Sequence, residues 1–381
     1  MEIFDVIVLG LGAHGSAAVY HLSKNNIKVC GIDRFVPPHA FGSSHGQSRI
    51  IRQAYHESPM YVPLVMEAYR LWNELENVSG KKLLLKTGGL ILGNEDSMVI
   101  KGAKLSAETH HVPYEYLSNK EITKRFPALK PTEDTVAVVE QSAGILFPEE
   151  CIKANLKLAN DNGALLLFGE AVQSINIKNN YAEVVTNKGI YETEKLIVTV
   201  GAWLNDILPE LKLPLNIKRQ VLFWFKSDDK QMQPFIQPEH LPVFIWEHNS
   251  PHIFYGFPDL GNGIKIAPHH EGQPIHPDLL SKEVYEDEIQ QMKNILDEYF
   301  NVDARFSSSD VCMYTNTPDE HFIIDYYPSN KNIIVASPCS GHGFKFSSAM
   351  GKLLGDMVLE KELNFDISPF SINRFSRSST A

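Results

Sequence analysis

Phe4-Asp-Val-Ile-Val-Leu-Gly-Leu-Gly-Ala-His-Gly-Ser-Ala-Ala18 and, further on, Val29-Cys-Gly-Ile-Asp33 decide the fold. Asp5 to Leu9 is an apolar, β-branched run of the kind that forms a fully buried strand. Gly10, Gly12 and Gly15 follow in G-x-G-x-x-G spacing, then a small-residue helix and a second strand ending in Asp33. Gly10 permits the tight turn, Gly12 lets backbone approach a pyrophosphate, and Gly15 lets the helix pack close to the strand. The free N–H groups of the helix start face phosphate, and Asp33 can accept hydrogen bonds from an adenosine ribose. Strand, glycines, helix and acid in that order predict a dinucleotide site. NAD and FAD both suit the acidic Asp33 better than NADP does, and the motif does not choose between them.

Working outward, 381 residues predict two or three domains. The hydrophobic fraction of 43% and charged fraction of 21% are those of a soluble globular protein. A net charge of −11 without a dense Lys/Arg stripe argues against nucleic acid. Cys30, Cys151, Cys312 and Cys339 are scattered and form no C-x-x-C pair, so neither a disulfide framework nor a zinc site is expected. No signal-peptide pattern, no apolar run of membrane-spanning length and no peroxisomal tripeptide in Arg377-Ser-Ser-Thr-Ala381 are seen, and the expected location is the cytoplasm.

Helices are expected over Tyr61–Leu75, Ser97–Thr109, Ser118–Phe126 (with a Ser118/Glu121 capping box), Pro148–Ala159, a long charged stretch Pro277–Tyr299, and Gly341–Val358. Leu83 to Gly93 reads as two strands around a Gly-Gly turn, and Ala164–Phe168 and Lys195–Trp203 as buried strands. Val172–Ile177 and Ala182–Thr186 read as an antiparallel pair joined by Lys178-Asn-Asn-Tyr181. Short aromatic-rich strands at 220–225, 243–246, 253–257 and 264–267 predict an antiparallel sheet. Nucleotide-type segments at the start, middle and end, with antiparallel segments between them, predict two interwoven domains with the ligand site between them. We place the nucleotide-binding domain at 1–86, 142–218 and 321–381, and the substrate domain at 87–141 and 219–320.

Four segments hold more reactive groups than packing requires. The first is His45-Gly-Gln-Ser-Arg-Ile-Ile-Arg52, where Arg49 and Arg52 would share a face if helical. Either could hold an anion bidentately. The second contains Tyr255, Lys265 and His269, with alternation putting Lys265, Ala267 and His269 on one face. The third places Cys312 before Tyr314 in a polar segment rather than an apolar strand, which suits a reactive thiol; a buried inert thiol is the alternative. The fourth is Ser337-Pro-Cys-Ser-Gly-His-Gly-Phe-Lys-Phe-Ser-Ser348, where Gly341 and Gly343 open a helix and Lys345, unfavourable to the dipole there, calls for an anion.

Gly10-Leu-Gly-Ala-His-Gly15, Gly42-Ser-Ser-His-Gly-Gln-Ser-Arg-Ile-Ile-Arg52, Tyr255-Gly-Phe-Pro258, Lys265 with His269, Cys312-Met-Tyr-Thr315, Asp319-Glu-His-Phe-Ile-Ile-Asp325 and Ser340-Gly-His-Gly-Phe-Lys-Phe-Ser-Ser348 together are specific. Through them the chain resembles the monomeric sarcosine oxidase and N-methyltryptophan oxidase group of flavoprotein amine oxidases over essentially its full length. That resemblance implies an α/β (α+β) fold: a Rossmann-like FAD-binding domain of glutathione-reductase type, interleaved with an antiparallel-sheet substrate domain as in D-amino-acid-oxidase-like proteins. It implies FAD held by Gly10, Gly12, Gly15, Asp33, Ser43, Ser48, Gly341 and Gly343 and attached covalently through its 8α-methyl to Cys312. Arg52 and Lys345 would grip a substrate carboxylate. Tyr255, Tyr314 and His269 would line the substrate cavity, with His269 at the amine. Lys265 would act beside flavin N5 and assist oxygen, and His45 and Arg49 would raise the electrophilicity of the flavin.

The implied reaction is oxidation of an N-methyl amino acid with O2, giving the amino acid, formaldehyde and H2O2 in a monomeric enzyme. Oxidation of a cyclic imino acid such as proline or pipecolate, or of glycine, is the enzymatic alternative, and a non-catalytic flavin-binding subunit is the alternative from another class. Against the group's pattern, Ser44 replaces a second His, Gln47-Ser48 replace Asp-Thr, and Cys339 offers a rival attachment site. Phe244 to Trp246 would put large aromatics at the cavity mouth and favour a substrate bulkier than sarcosine.

Overall fold

A computed structural model describes residues 2–178 and 181–379. The opening strand, Glu2–Leu9, is buried from Val6 to Leu9 and lies between two parallel neighbours, Val29–Asp33 and Ile190–Val198. Asn330–Ser337 pairs in parallel with the end of Ile190–Val198, Leu165–Phe168 pairs in parallel with Val29–Asp33, and Ile323–Tyr327 closes one edge antiparallel. Such a sheet needs cover on its faces. Helix Ala13–Ser23 covers one face together with Ser347–Val358 and Pro148–Asp161, and Leu204, Leu208 and Leu213 pack on the other. Gly10 makes the turn at φ +81°, and a Cβ on Gly15 would lie 1.8 Å from the Gly10 carbonyl oxygen, so the helix can start this close to the strand only with glycine there.

The strand Leu165–Phe168 is less buried than its apolar residues suggest, because it is the outermost strand: Leu165 is exposed and its three followers are half-buried. Val172–Ile177 and Ala182–Thr186 do pair antiparallel, while the expected turn residues Asn179 and Asn180, like Met1, Thr380 and Ala381, lie outside the described residues. Among the described residues no helix is long and apolar enough to cross a membrane.

The second large sheet runs, in order, Ala304–Asn316, Asn216–Ser227, Ile264–Pro268, His252–Phe257, Val243–His248, Gly89–Asn94, Thr135–Glu140 and Glu115–Leu117. It is antiparallel except where Val243–His248 runs parallel to Gly89–Asn94. The two strands expected around Gly88-Gly89 do not form a hairpin. Leu84–Lys86 instead joins Arg49–Ile51 and Gly144–Leu146 in a separate three-stranded sheet. The long helix expected over 277–299 shrinks to Glu286–Tyr299, started by a Tyr285/Glu288 capping box. Residues before it are drawn out as Arg219 donates to the carbonyls of Ser281 and Glu283.

Alternation along the second sheet sorts its side chains. Val221, Phe223, Phe225, Phe244, Trp246, Phe254, Ile264, Ile266 and Val311 point into one apolar core with Leu296 and Tyr299 of the Glu286–Tyr299 helix. The opposite parity, including Leu222, Trp224, Tyr255, Ala267 and Cys312, forms the face turned toward the first sheet.

Candidate active site

A cavity of about 550 Å³ runs between the two sheets, within the usual range of ligand sites. At one end lie Gly10, Gly12 and Asp33. Asp33 is buried and accepts the N–H groups of Leu11 and Phe35, both at 2.7 Å, which fixes the carboxylate at the end of its strand. Burial raises its pKa against those two bonds. A Cβ on Gly12 would meet nothing nearer than the Ser44 hydroxyl at 3.6 Å, so backbone is open to the cavity where a phosphate would rest. Trp203 lines the same end, its indole N–H donating to Asp278, which also pairs with Arg34.

Midway, the cavity is lined by Ser43, Arg49, Cys312, Gly341 and Gly343. Arg49 and Arg52 do not share a helix face, because Arg49–Ile51 is a short strand. Arg49 donates to the carbonyls of Ser48 (2.8 Å) and Ser43 (2.7 Å), which locks its guanidinium in the loop. Cys312 sits in the strand Ala304–Asn316, not in an irregular polar segment, and is buried. Burial raises its thiol pKa, while Arg49 and Lys265 pull it down. The rival Cys339 also lines the cavity, on the opposite loop, and is less buried.

Lys265 stands behind this wall. Its ammonium donates to the carbonyls of Gly46 (2.6 Å) and Ser48 (3.1 Å) and to the Ser48 hydroxyl (3.0 Å), and burial together with Arg49 holds its pKa well below that of ordinary lysine. His45 is likewise buried, with Nδ1 2.9 Å from Asp310 and Nε2 without a partner. Asp310 escaped the sequence reading; the signal was its place two residues before Cys312, on the same strand face.

The far end gathers Arg52, Glu57, Lys345, Tyr255, Tyr314 and His269. Arg52 is paired with Glu57, and its Nε is buried without a partner. Glu57 was not singled out from sequence; burial opposes its charge, but Arg52, His56, His342 and Lys345 hold its pKa well below the usual range. Lys345 donates to the His342 carbonyl at 2.7 Å and to the Tyr55 hydroxyl at 3.4 Å. Tyr55 in turn donates to His342 Nδ1 at 2.6 Å, because His342 Nε2 faces the Glu320 carbonyl at 3.0 Å and must carry the proton. Burial, reinforced by Arg52, lowers the Lys345 pKa to about 7. The Tyr314 hydroxyl donates to that of Tyr255 at 3.4 Å, and His269 Nδ1 lies 3.3 Å from the Tyr314 oxygen. Phe244 and Trp246 are not at this mouth. Strand parity turns them into the opposite core, and Ile245 between them lines the cavity.

These features fit FAD: an open glycine cradle beside a fixed acid at one end, a thiol and Arg49 midway, and at the other end basic groups and buried polar atoms without protein partners. The family profile described as DAO, FAD dependent oxidoreductase, matches residues 5–357. Monomeric sarcosine oxidase of Arthrobacter sp. (strain TE1826) is 39% identical over 378 residues, covering 97% of this chain and 96% of that protein. N-methyl-L-tryptophan oxidase of Yersinia pestis (strain Pestoides F) is 34% identical over 374 residues, covering 98% and 99%. Among solved structures, L-proline dehydrogenase from P. horikoshii superimposes with a TM-score of 0.85 at 21% identity over 99% of both chains, and glycine oxidase from Geobacillus kaustophilus with 0.81 at 19% over 98% and 99%. These two likenesses speak to the fold. The chain belongs to the DAO family of FAD dependent oxidoreductases.

Proposed function

We propose that this enzyme oxidises an N-methyl amino acid, with O2 as acceptor, to the amino acid, formaldehyde and H2O2. The carrying observation is the convergence of Arg52 and Lys345 with the His269–Tyr314–Tyr255 chain at one end of a cavity whose other end is the Gly12/Asp33 cradle. FAD, when bound, supplies the two-electron oxidation. Gly10, Gly12, Gly15 and Asp33 would hold its ADP half; Ser43, Ser48, Gly341 and Gly343 would hold the ring end; and Cys312 would carry the covalent link.

The chain's own residues divide the remaining work. Arg52 and Lys345 bind the carboxylate, with Glu57 releasing part of its hold on Arg52. The same two cations disfavour an ammonium in the pocket, so the amine is held unprotonated. Burial keeps His269 neutral. With the Tyr314 hydroxyl donated to Tyr255, His269 Nδ1 keeps its proton and Nε2 is free to accept the amine N–H. Lys265, held by Gly46 and Ser48, places a positive charge or a donor behind Arg49, where oxygen reduction needs it; His45 and Arg49 add to that field.

A peroxide-coupled screen of sarcosine, N-methyltryptophan, proline, pipecolate and glycine tests the reading. Turnover confined to proline, pipecolate or glycine would replace it with the imino- or amino-acid alternative, and absence of flavin bleaching with any of them would favour a non-catalytic subunit. Acid precipitation tests the link: colour stays with the protein if flavin is covalent. Cys312→Ala should release it and Cys339→Ala should not.

A further inference from the structure

We infer that His56 sets specificity in this cavity by hydrogen-bonding a neutral polar group on the substrate's side chain, so that hydroxyl- or amide-bearing N-methyl amino acids are preferred over those with hydrogen or hydrocarbon there. The inference rests on the proposed function and names the substrate class of the same site.

His56 lies in the loop that carries Arg52 and Glu57, is 7% exposed, and lines the cavity beside Ile245, Ile253 and His269. Its Nδ1 is buried without a hydrogen-bond partner. The nearest carboxylate oxygen, of Glu57, is 3.5 Å away and already holds Arg52. Nδ1 therefore looks to Glu57, and the ring nitrogen left for the cavity is Nε2, which is not enclosed and has no hydrogen-bond partner among the described residues. Ile245 and Ile253, which line the same cavity, offer it none, so its partner comes with the ligand. The loop has little freedom to turn the ring elsewhere: a Cβ on Gly102 would lie 2.1 Å from the His56 carbonyl oxygen, which shows how tightly this backbone is packed against the Met98–His110 helix.

The polarity of the partner follows from the charges around it. Burial lowers the His56 pKa to about 3, so the ring is neutral and has one N–H and one lone pair. The Glu57 carboxylate favours the proton on Nδ1, which leaves Nε2 to accept. The matching substrate group is a donor, a hydroxyl or amide N–H. A second carboxylate would face Glu57 and a lone pair, and a cationic side chain would face Arg52 and Lys345.

The test compares kcat/KM of the holoenzyme for N-methylserine, N-methylalanine, sarcosine and N-methylaspartate, and repeats it in His56→Ala and His56→Gln. Dissociation constants of lactate and glycerate, the second bearing the extra hydroxyl, are read in parallel from the visible absorbance of the bound flavin. A site built to hydrogen-bond a hydroxyl discriminates against the analogue lacking it, so N-methylserine should exceed N-methylalanine at least ~10-fold. That ratio should collapse toward one in His56→Ala and persist in part in His56→Gln, with glycerate binding following the same order. A ratio near one in the unmodified enzyme, a preference for N-methylaspartate, or an unchanged ratio in flavin-loaded His56→Ala would each overturn the role of His56 while leaving N-methyl amino acid oxidation standing. Turnover of N-methyltryptophan with none of the four would overturn this inference alone, and turnover of no N-methyl amino acid would remove the functional reading with it. The unmodified enzyme decides the matter even if a variant fails to fold.

Discussion

Lys345 offers the sharpest test of the anion-binding end, because its ammonium is poised to titrate where enzymes are assayed. Burial and the adjacent Arg52 lower its pKa to about 7, so the free enzyme loses this charge as pH rises through neutrality. A bound carboxylate favours the ammonium, so affinity should be flat on the acid side and fall on the alkaline side. Arg52 stays charged throughout. Between pH 6 and pH 9 the charged fraction drops by a factor of about 90, so a carboxylate that binds only the charged form weakens by up to ~90-fold, about 2.7 kcal/mol. The ligand should lack an amine, since a substrate amine titrates in the opposite sense. Acetate or a thioether carboxylate, titrated by its effect on flavin absorbance, isolates the term. In Lys345→Met the same ligand should bind weakly at all pH values with little slope. A flat profile in the unmodified protein, or the same slope in Lys345→Met, would refute the assignment of Lys345 as a carboxylate ligand.

Three further outcomes follow from other parts of the molecule. His56 and His342 are both buried, with pKa values lowered to about 3, so below pH 6.5 the unfolded chain binds protons that the folded one refuses. Stability contributed by their burial is complete above pH 6.5 and should fall by roughly 1.4 kcal/mol per pH unit for each as pH drops toward 4; equal urea midpoints at pH 6.5 and pH 5 would contradict this. Gly15→Ala should abolish flavin loading, read as the ratio of visible to ultraviolet absorbance, because the new Cβ would lie 1.8 Å from the Gly10 carbonyl oxygen and 2.7 Å from Thr199 Oγ1. Glu140 accepts the N–H groups of Gln53 (2.8 Å) and Ala54 (2.8 Å) and the Ser142 hydroxyl, anchoring the loop that bears Arg52. Glu140→Gln turns one acceptor into a donor facing donors, and should cost on the order of 3 kcal/mol in urea unfolding. An unchanged midpoint would show that the loop is held by other means.

The nucleotide half of the fold was legible because its information is local: strand, glycines, helix and acid all fall within Phe4 to Asp33. The sheet assignment of later strands was not, since Leu84–Lys86 and Gly89–Asn94 carry similar apolar patterns yet join different sheets through partners at 144–146 and 135–140. Phe244 and Trp246 illustrate the same limit. Their size pointed to a cavity, but one step of strand parity decides the face, and parity is set by pairing with Gly89–Asn94 and His252–Phe257. In the site, the reactive residue types at Arg52, Lys265, His269, Cys312 and Lys345 were visible in the chain. Glu57 and Asp310 were not, because a carboxylate near a cation in space looks like any surface acid in sequence. The placement of Cys312 within a strand was masked by the serines and aspartate that precede it on the sheet's edge.

The pairing of Glu2–Leu9 with Ile190–Val198, which itself needs Asn330–Ser337, has a consequence for synthesis. The first apolar strand emerges from the ribosome long before its neighbour exists, and the sheet is complete only once Ser337 has been made. Such long sequence separations slow folding and leave strand edges exposed meanwhile. The cradle at Gly12 and the lysine at 345 face one cavity from positions more than three hundred residues apart, so the site forms only after both have been made. A nascent or truncated protein ending before Ser337 lacks both the full Asn330–Ser337 strand and Lys345, so it neither completes the sheet nor closes the anion-binding end of the cavity.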